Sequence, residues 1–250
     1  TTVQQMGLYR NIVWFIKGMR EYTSFVEKDL DVSMVGCSFM ITGANSGIAM
    51  AIDKKGGTVY IVCRNKMSHL LLMMLQCLIE VYIHVLDLFE TRKVWEFAEA
   101  FKKEHSSLNV LINNAGYWRK ILLSNDDDLL LNTRYVSLCA RPQRQQVVMT
   151  EVWAKANPKI HFSVMHPGWT DTPAVAKVMP QFHQMMRDRL RSAEQGANTV
   201  TTALPSGLFF QDRRPVSAHL PLAWTHSSRR DVKAFMGRLE NLAMAVKPSD

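Results

Sequence analysis

"CSFMITGANSGIAMAIDKKGGTVYIVC", residues 37 to 63, decides the fold. Two short apolar runs, Cys37 to Thr42 and Thr58 to Cys63, flank a glycine-marked segment. Runs of this length, bounded by turn residues, read as buried strands. Gly43 lets the chain turn sharply after the first strand. Gly47 lets backbone N–H groups approach an anion at the start of a helix, where the helix dipole favours negative charge. Thr42, Gly43, Asn45, Ser46 and Gly47 thus supply a phosphate-binding turn. The third glycine such a turn expects is replaced by Ala49. The helix before Gly56 and Gly57 is only about two turns long.

The alternation continues along the chain. Residues 67 to 79 read as a helix and "VYIHVLDL", 81 to 88, as a third strand. Residues 91 to 105 form an amphipathic helix with Val94, Phe97, Ala98 and Phe101 on one face, and "NVLIN", 109 to 113, is a fourth strand. Strands alternating with helices predict a parallel sheet covered on both faces, an α/β doubly wound fold of the Rossmann type. Further on, a helix is expected over 143 to 156 and a strand over 160 to 166. Two more helices are expected over 182 to 203 and 230 to 246, the last with Val232, Phe235, Leu239, Leu242 and Val246 on one face. The organisation expected is an N-terminal amphipathic segment, 1 to 30, and a single dinucleotide-binding domain, 31 to 250.

Composition narrows the function classes. The 250 residues are 47% hydrophobic, enough for a packed core. Lys plus Arg exceed Asp plus Glu by 30 − 22 = 8, which suits an anionic partner. The basic residues form no stripe with interleaved aromatics, so no nucleic acid is expected. Cys37, Cys63, Cys77 and Cys139 form no C-x-x-C pair and no zinc-spaced cluster with histidine, so no metal is expected. The thiols read as reduced, in an intracellular and cytoplasmic protein. Residues 8 to 20, "LYRNIVWFIKGMR", place Leu8, Ile12, Phe15, Ile16 and Met19 on one helical face. That face fits either the protein's own core or a membrane surface, the latter by peripheral association.

Thr-Gly-x-x-x-Gly after the first strand, Asp87 after the third, "NNAG" at 113 to 116 and "HPGWTDTP" at 166 to 173 occur in one order. In this they resemble the short-chain dehydrogenases/reductases. The resemblance implies hydride transfer between NADP(H), or NAD(H), and a small carbonyl or alcohol substrate. By the same resemblance Gly43, Asn45, Ser46, Gly47 and Ile48 line the pyrophosphate. Arg64 sits by the adenosine ribose, where a guanidinium pairs with a 2′-phosphate and favours NADP. Asp87 and Leu88 meet the adenine, and Asn113, Ala115 and Gly116 border its ribose. Pro167, Gly168 and Thr172 hold the nicotinamide end. Family members often form homodimers, so a homodimer is one assembly the resemblance admits.

The same family uses a tyrosine to exchange the proton, and a lysine four residues later to favour its phenolate. Here Cys139 stands at the tyrosine position and Gln143 at the lysine position, in "CARPQRQQVV". Pro142 disfavours helix at Arg141. Residues 117 to 138 are left for a long helix, a fifth strand and a serine-bearing loop, which barely fit. Ser124 and Ser137 are the serines in that stretch, and Asn132 aligns ambiguously with a family asparagine. The sheet is therefore expected to be incomplete around the fifth strand. The reaction is expected to be degenerate, with no catalytic residue assigned. The alternative reading is a non-catalytic nucleotide-binding or membrane-surface interaction module.

Overall fold

A computed structural model describes residues 33, 35–43, 56–65, 80–115, 133–197, 205–219 and 226–247, with the side chains of 133–143, 174, 178 and 194 left aside. The described residues fall in two compact units, one within Lys28–Trp118 and Gly237–Asp250, the other within Arg119–Met236.

The first unit is a four-stranded parallel sheet in the order β3-β2-β1-β4. Its strands are β1 (Ser38–Thr42), β2 (Thr58–Cys63), β3 (Val81–Val85) and β4 (Val110–Ile112). Met40 lies opposite Tyr60 on one side and Leu111 on the other. In β1 and β2 the residues pointing to both faces are buried: Phe39, Ile41, Val59 and Ile61 to one, Met40, Tyr60 and Val62 to the other. Continuous burial of a parallel strand is what coverage on both faces produces. Helix α1 (Thr91–Glu104) covers the second face, where Phe101 joins Met40, Tyr60, Val62 and Leu86, with Val94 and Phe97 against them. Ala98, expected on that face, is exposed. Phe101 meets Tyr60 edge-on, with ring centroids 4.9 Å apart, a geometry the aromatic quadrupoles favour. His84 packs against Phe97 and Phe101. Burial, then the neighbouring His105, pushes its imidazole below the usual range.

The second unit holds helix α2 (Thr133–Ala156), strand β5 (Val164–His166) and helices α3 (Pro173–Val178) and α4 (Pro180–Met186). A 3-10 turn (Arg187–Arg189), α5 (Ala193–Ala197) and strands β6 (Phe209–Gln211) and β7 (Arg214–Pro215) complete it. β5 pairs in parallel with β6, and β6 in antiparallel with β7. Phe182, Met186 and Leu190 form a small core with Trp169 packed on it.

Several expectations need correction. α2 starts at Thr133, ten residues before the predicted Gln143, and runs through Pro142. An interior proline costs about 3 kcal/mol but does not forbid a helix that other residues bury; here Val147 and Val148 are buried. Ser137 lies on that helix. Residues 116 to 132 lie outside the described residues, as does the predicted helix over 67 to 79. Among the described residues β4 pairs with β1. The strand predicted from residue 160 is confined to Val164–His166. The helix expected over 182 to 203 is broken at Leu190–Ser192. There Arg191 bridges to Thr170, and Ser192 starts α5 with a reciprocal cap. Gln195 N–H donates to Ser192 Oγ at 3.1 Å, and Ser192 N–H to Gln195 Oε1 at 2.9 Å, a capping box whose signature, "SAEQ", is legible in the sequence. The last helix, α6, spans Arg229–Val246, with Met236 buried and Leu242 exposed rather than part of the buried face. The β6–β7 hairpin had no prediction, because its two turn residues, Asp212 and Arg213, are not the Asn-Gly type that marks such turns.

Replacing Phe101 with alanine removes the ring that joins α1 to the sheet. It should cost about 3–5 kcal/mol, read as a lower urea midpoint with an unchanged slope.

Candidate functional site

The chain leaves β1 toward β2 and β3 on one side, while β4 lies on the other. The carboxyl ends of β1 and β4 therefore diverge at a topological switch point, where open α/β sheets bind ligands. Gly43 follows β1 there with φ +64°, and a β-carbon on it would lie 2.6 Å from the Ala115 Cα. The two loops touch backbone to backbone, and glycine is required on both counts. Gly43 N–H donates to Val62 O at 2.7 Å, which ties the turn to β2 as well.

Thr42 fastens the second loop. Its hydroxyl accepts from Asn114 N at 3.1 Å and Ala115 N at 3.0 Å, and donates to Ile112 O at 3.4 Å. That uses the full capacity of a hydroxyl, one donor and two acceptors. The Asn114 amide donates to Thr42 O at 3.1 Å and reaches Gly43 O at 3.5 Å. The residue that holds this rim is thus Asn114, which the sequence reading passed over between Asn113 and Ala115. Asn113 and Ala115 are exposed at the lip.

The other predicted residues of this unit share the rim. Arg64 is exposed directly after β2. Asp87 and Leu88 follow β3. One Asp87 oxygen accepts from Phe89 N at 3.0 Å, an Asx turn that starts the approach to α1. Asn45, Ser46, Gly47, Ile48, Gly116 and Asn132 lie outside the described residues.

Pro167, Gly168 and Thr172 follow β5 in the second unit. Thr172 caps α3, accepting from Val175 N at 3.3 Å, with Pro173 at the first helical position. Gly168 has φ +74°, and a β-carbon there would lie 2.7 Å from the Arg191 guanidinium. Arg191 is 4% exposed and pairs in bidentate fashion with Asp212, through Nη1–Oδ1 and through Nη2–Oδ2 at 2.9 Å. His166 Nδ1 accepts from Gly168 N at 3.0 Å. Burial, then the Arg191 cation, lowers the His166 imidazole to about 4, against the opposing pull of Asp212. The imidazole is therefore neutral, as an acceptor nitrogen requires. Neither Arg191 nor Asp212 carries a sequence signal, since they are 21 positions apart and meet only in the fold.

Cys139 and Gln143 lie four residues apart on α2, hence about one turn apart along one helix. The expected helix at residues 8 to 20 lies outside the described residues. Among the described residues no helix is long and apolar enough to cross a membrane, and no cluster of three metal-ligating side chains occurs.

A Rossmann-type sheet with a glycine turn at its switch point defines a dinucleotide-binding class of protein. Comparison with known proteins gives the family. The chain is 38% identical to dehydrogenase/reductase SDR family member 12 of Homo sapiens, an alignment covering 97% of this chain and all of that one. It is 40% identical, with the same coverage, to the Bos taurus protein of that name. Bos taurus retinol dehydrogenase 12 is 37% identical over 34% of this chain and 30% of its own length. No family model matches. Among solved structures, a short-chain type dehydrogenase/reductase from Mycobacterium marinum superposes with TM-score 0.52 at 15% identity, covering 72% of this chain and 92% of that one. A protein described as an NAD(P)-dependent gluconate 5-dehydrogenase of Beutenbergia cavernae, solved with NADP at low occupancy, superposes with TM-score 0.53 at 16% identity. It covers 68% of this chain and 89% of its own. The chain belongs to the short-chain dehydrogenase/reductase family. The human alignment spans 318 positions against 250 residues here, so at least 318 − 250 = 68 aligned positions have no residue in this chain.

Two measurements test the site geometry. Thr42→Val leaves two N–H groups without their acceptor and should cost about 1–3 kcal/mol, whereas Thr42→Ser should retain most of the stability; urea titration of both compares them. For His166, the unfolded chain protonates near 6.5 and the folded one near 4. Stability is therefore complete above pH 6.5 and declines as pH falls toward 4, by about 3 kcal/mol. His166→Asn should flatten that limb of the stability–pH curve relative to the parent.

Proposed function

We propose that this chain binds NADP(H) at the β1–β4 switch point and does not turn it over. The observation that carries the binding half is the close approach of Gly43 to Ala115. It brings the loops that follow β1 and β4 together at the carboxyl edge of the sheet, the place where a pyrophosphate sits in this class of fold. Gly43, Asn45, Ser46, Gly47 and Ile48 take the pyrophosphate. Arg64, exposed beyond β2, meets the 2′-phosphate, and its fixed charge and planar fork suit that group. Asp87 and Leu88 face the adenine, Asn113, Ala115 and Gly116 the adjoining ribose, and Pro167, Gly168 and Thr172 the nicotinamide end. When bound, the cofactor supplies a hydride.

The chemistry half fails at proton transfer. Reduction of a carbonyl needs a proton donor within about 2.6–3.2 Å of the forming alkoxide. A cysteine at the tyrosine position has a side chain shorter by several ångströms (roughly the width of a ring), and a glutamine at the lysine position supplies no cation to tune it. Cys139 and Gln143 thus leave the reaction without its proton source. The result is a family member that retains the nucleotide and has lost the reduction.

The test is a titration of purified protein with NADPH and NADH, followed by a carbonyl panel. NADPH is expected to bind more tightly than NADH. Arg64→Ser should erase most of that preference, by about tenfold or 1.4 kcal/mol. No panel member should consume NADPH. Turnover that disappears in Cys139→Ala would overturn the loss of reduction; absence of NADPH binding would overturn the whole proposal.

A further inference from the structure

Arg191 and Asp212 belong to no group assigned above to cofactor or chemistry, yet the segment from Pro167 to Thr172 is built around them. The backbone of Arg191 clamps it twice: Arg191 N donates to Trp169 O and Asp171 N donates to Arg191 O, both at 2.8 Å. Any residue could make those bonds. The side chain adds something only arginine offers. Its flat guanidinium lies against Gly168, with no space for a β-carbon between them, and its fork takes both oxygens of Asp212.

Burying a cation costs several kcal/mol unless an anion with good geometry accompanies it. Asp212 meets that need from a tight turn. It has φ +50° and its neighbour Arg213 has φ +62°. Together they form the two-residue turn between β6 and β7, where Asn-Gly, Asp-Gly or Gly-Gly is the relaxed choice. Aspartate suits the first turn position and also faces the guanidinium, whereas Arg213 is the residue the turn does not favour. Loop, cation and hairpin form one chain of contacts inside the second unit. Gly168 rests on Arg191, Arg191 is held by Asp212, and His166 closes the other side by accepting from Gly168 N.

We infer that Arg191 and Asp212 are positioning residues: their ion pair sets the conformation of the Pro167–Thr172 segment and through it the fit of the nicotinamide end of the cofactor. The inference rests on the reading of that segment given under the proposed function. That reading gives the adenosine end to Arg64 and its neighbours, so a probe carrying only that end serves as the control.

The experiment compares the full chain with its Asp212→Asn, Asp212→Gly and Arg191→Lys variants, using two probes, NADPH and adenosine 2′,5′-bisphosphate. Asp212→Asn should weaken NADPH by roughly tenfold and leave the bisphosphate within about twofold. A general loss of folding would weaken both. Asp212→Gly relaxes the turn and should still show the NADPH defect, which a purely conformational role for Asp212 would not produce. Hydrogen exchange at Gly168, Asp171 and Arg191, read against β2 in the same sample, should quicken by roughly a hundredfold in Asp212→Asn. If Asp212→Asn unfolds the chain, Arg191→Lys decides by the same readings, since it keeps the charge and loses the fork. Unchanged exchange in the 166–172 segment, or equal weakening of both probes, overturns the inference. Failure of the parent to bind NADPH overturns the proposed function instead, and exchange alone then decides the ion pair.

Discussion

The first unit depends on one steric constraint: two loops cross where no β-carbon fits. Gly43 and Ala115 meet backbone to backbone, and Thr42 and Asn114 lock the crossing with side-chain bonds on either side. The parallel pairing of β1 with β2 and β4 brings the strand ends together. The crossing then determines how closely the two loops approach. A residue with any side chain at position 43 would force them apart and strain a left-handed backbone together. Side chains stand aside at this crossing, which is what the proposed nucleotide reading of the rim requires.

The second unit is held by charge as well as by apolar packing. Its described apolar core, Phe182, Met186 and Leu190, is small. Beside it, a buried guanidinium and carboxylate bind a loop to a hairpin. Such a pair is a poor source of net stability and a strong source of geometry, because removing one partner strands the other. The neutral His166 follows from the same surroundings: a second cation next to Arg191 in a buried place is disfavoured. The loop, the pair and the imidazole are thus mutually dependent.

Among the described residues of the first unit, the four strands and α1 were legible in the sequence. Its strands are short apolar runs bounded by glycine or polar residues, and the observed β2 coincides with the predicted Thr58–Cys63. The site was legible where backbone conformation demands a residue type, as at Gly43, and illegible where a side chain finds its partner far along the chain. Asn114 looked like one of two equivalent asparagines until its amide was seen on Thr42 O, 72 positions away. The second unit was read less well for the same reason. The break at Leu190–Ser192 satisfies a bridge from Arg191 to Thr170, which outweighs a helical pattern that runs straight through it. α2 went the other way, continuing across Pro142 because burial further along the helix outweighs a local penalty.

By itself, the sequence determined the family, the order of the first four strands and the glycine turn after the first of them. These follow from local steric rules and from residue identity, which need no partner. Only the tertiary structure decided which of two asparagines fastens the rim, that an arginine and an aspartate 21 residues apart share a buried bond, and that a histidine beside them stays neutral. Those properties depend on distance and desolvation, and neither exists until the chain has folded.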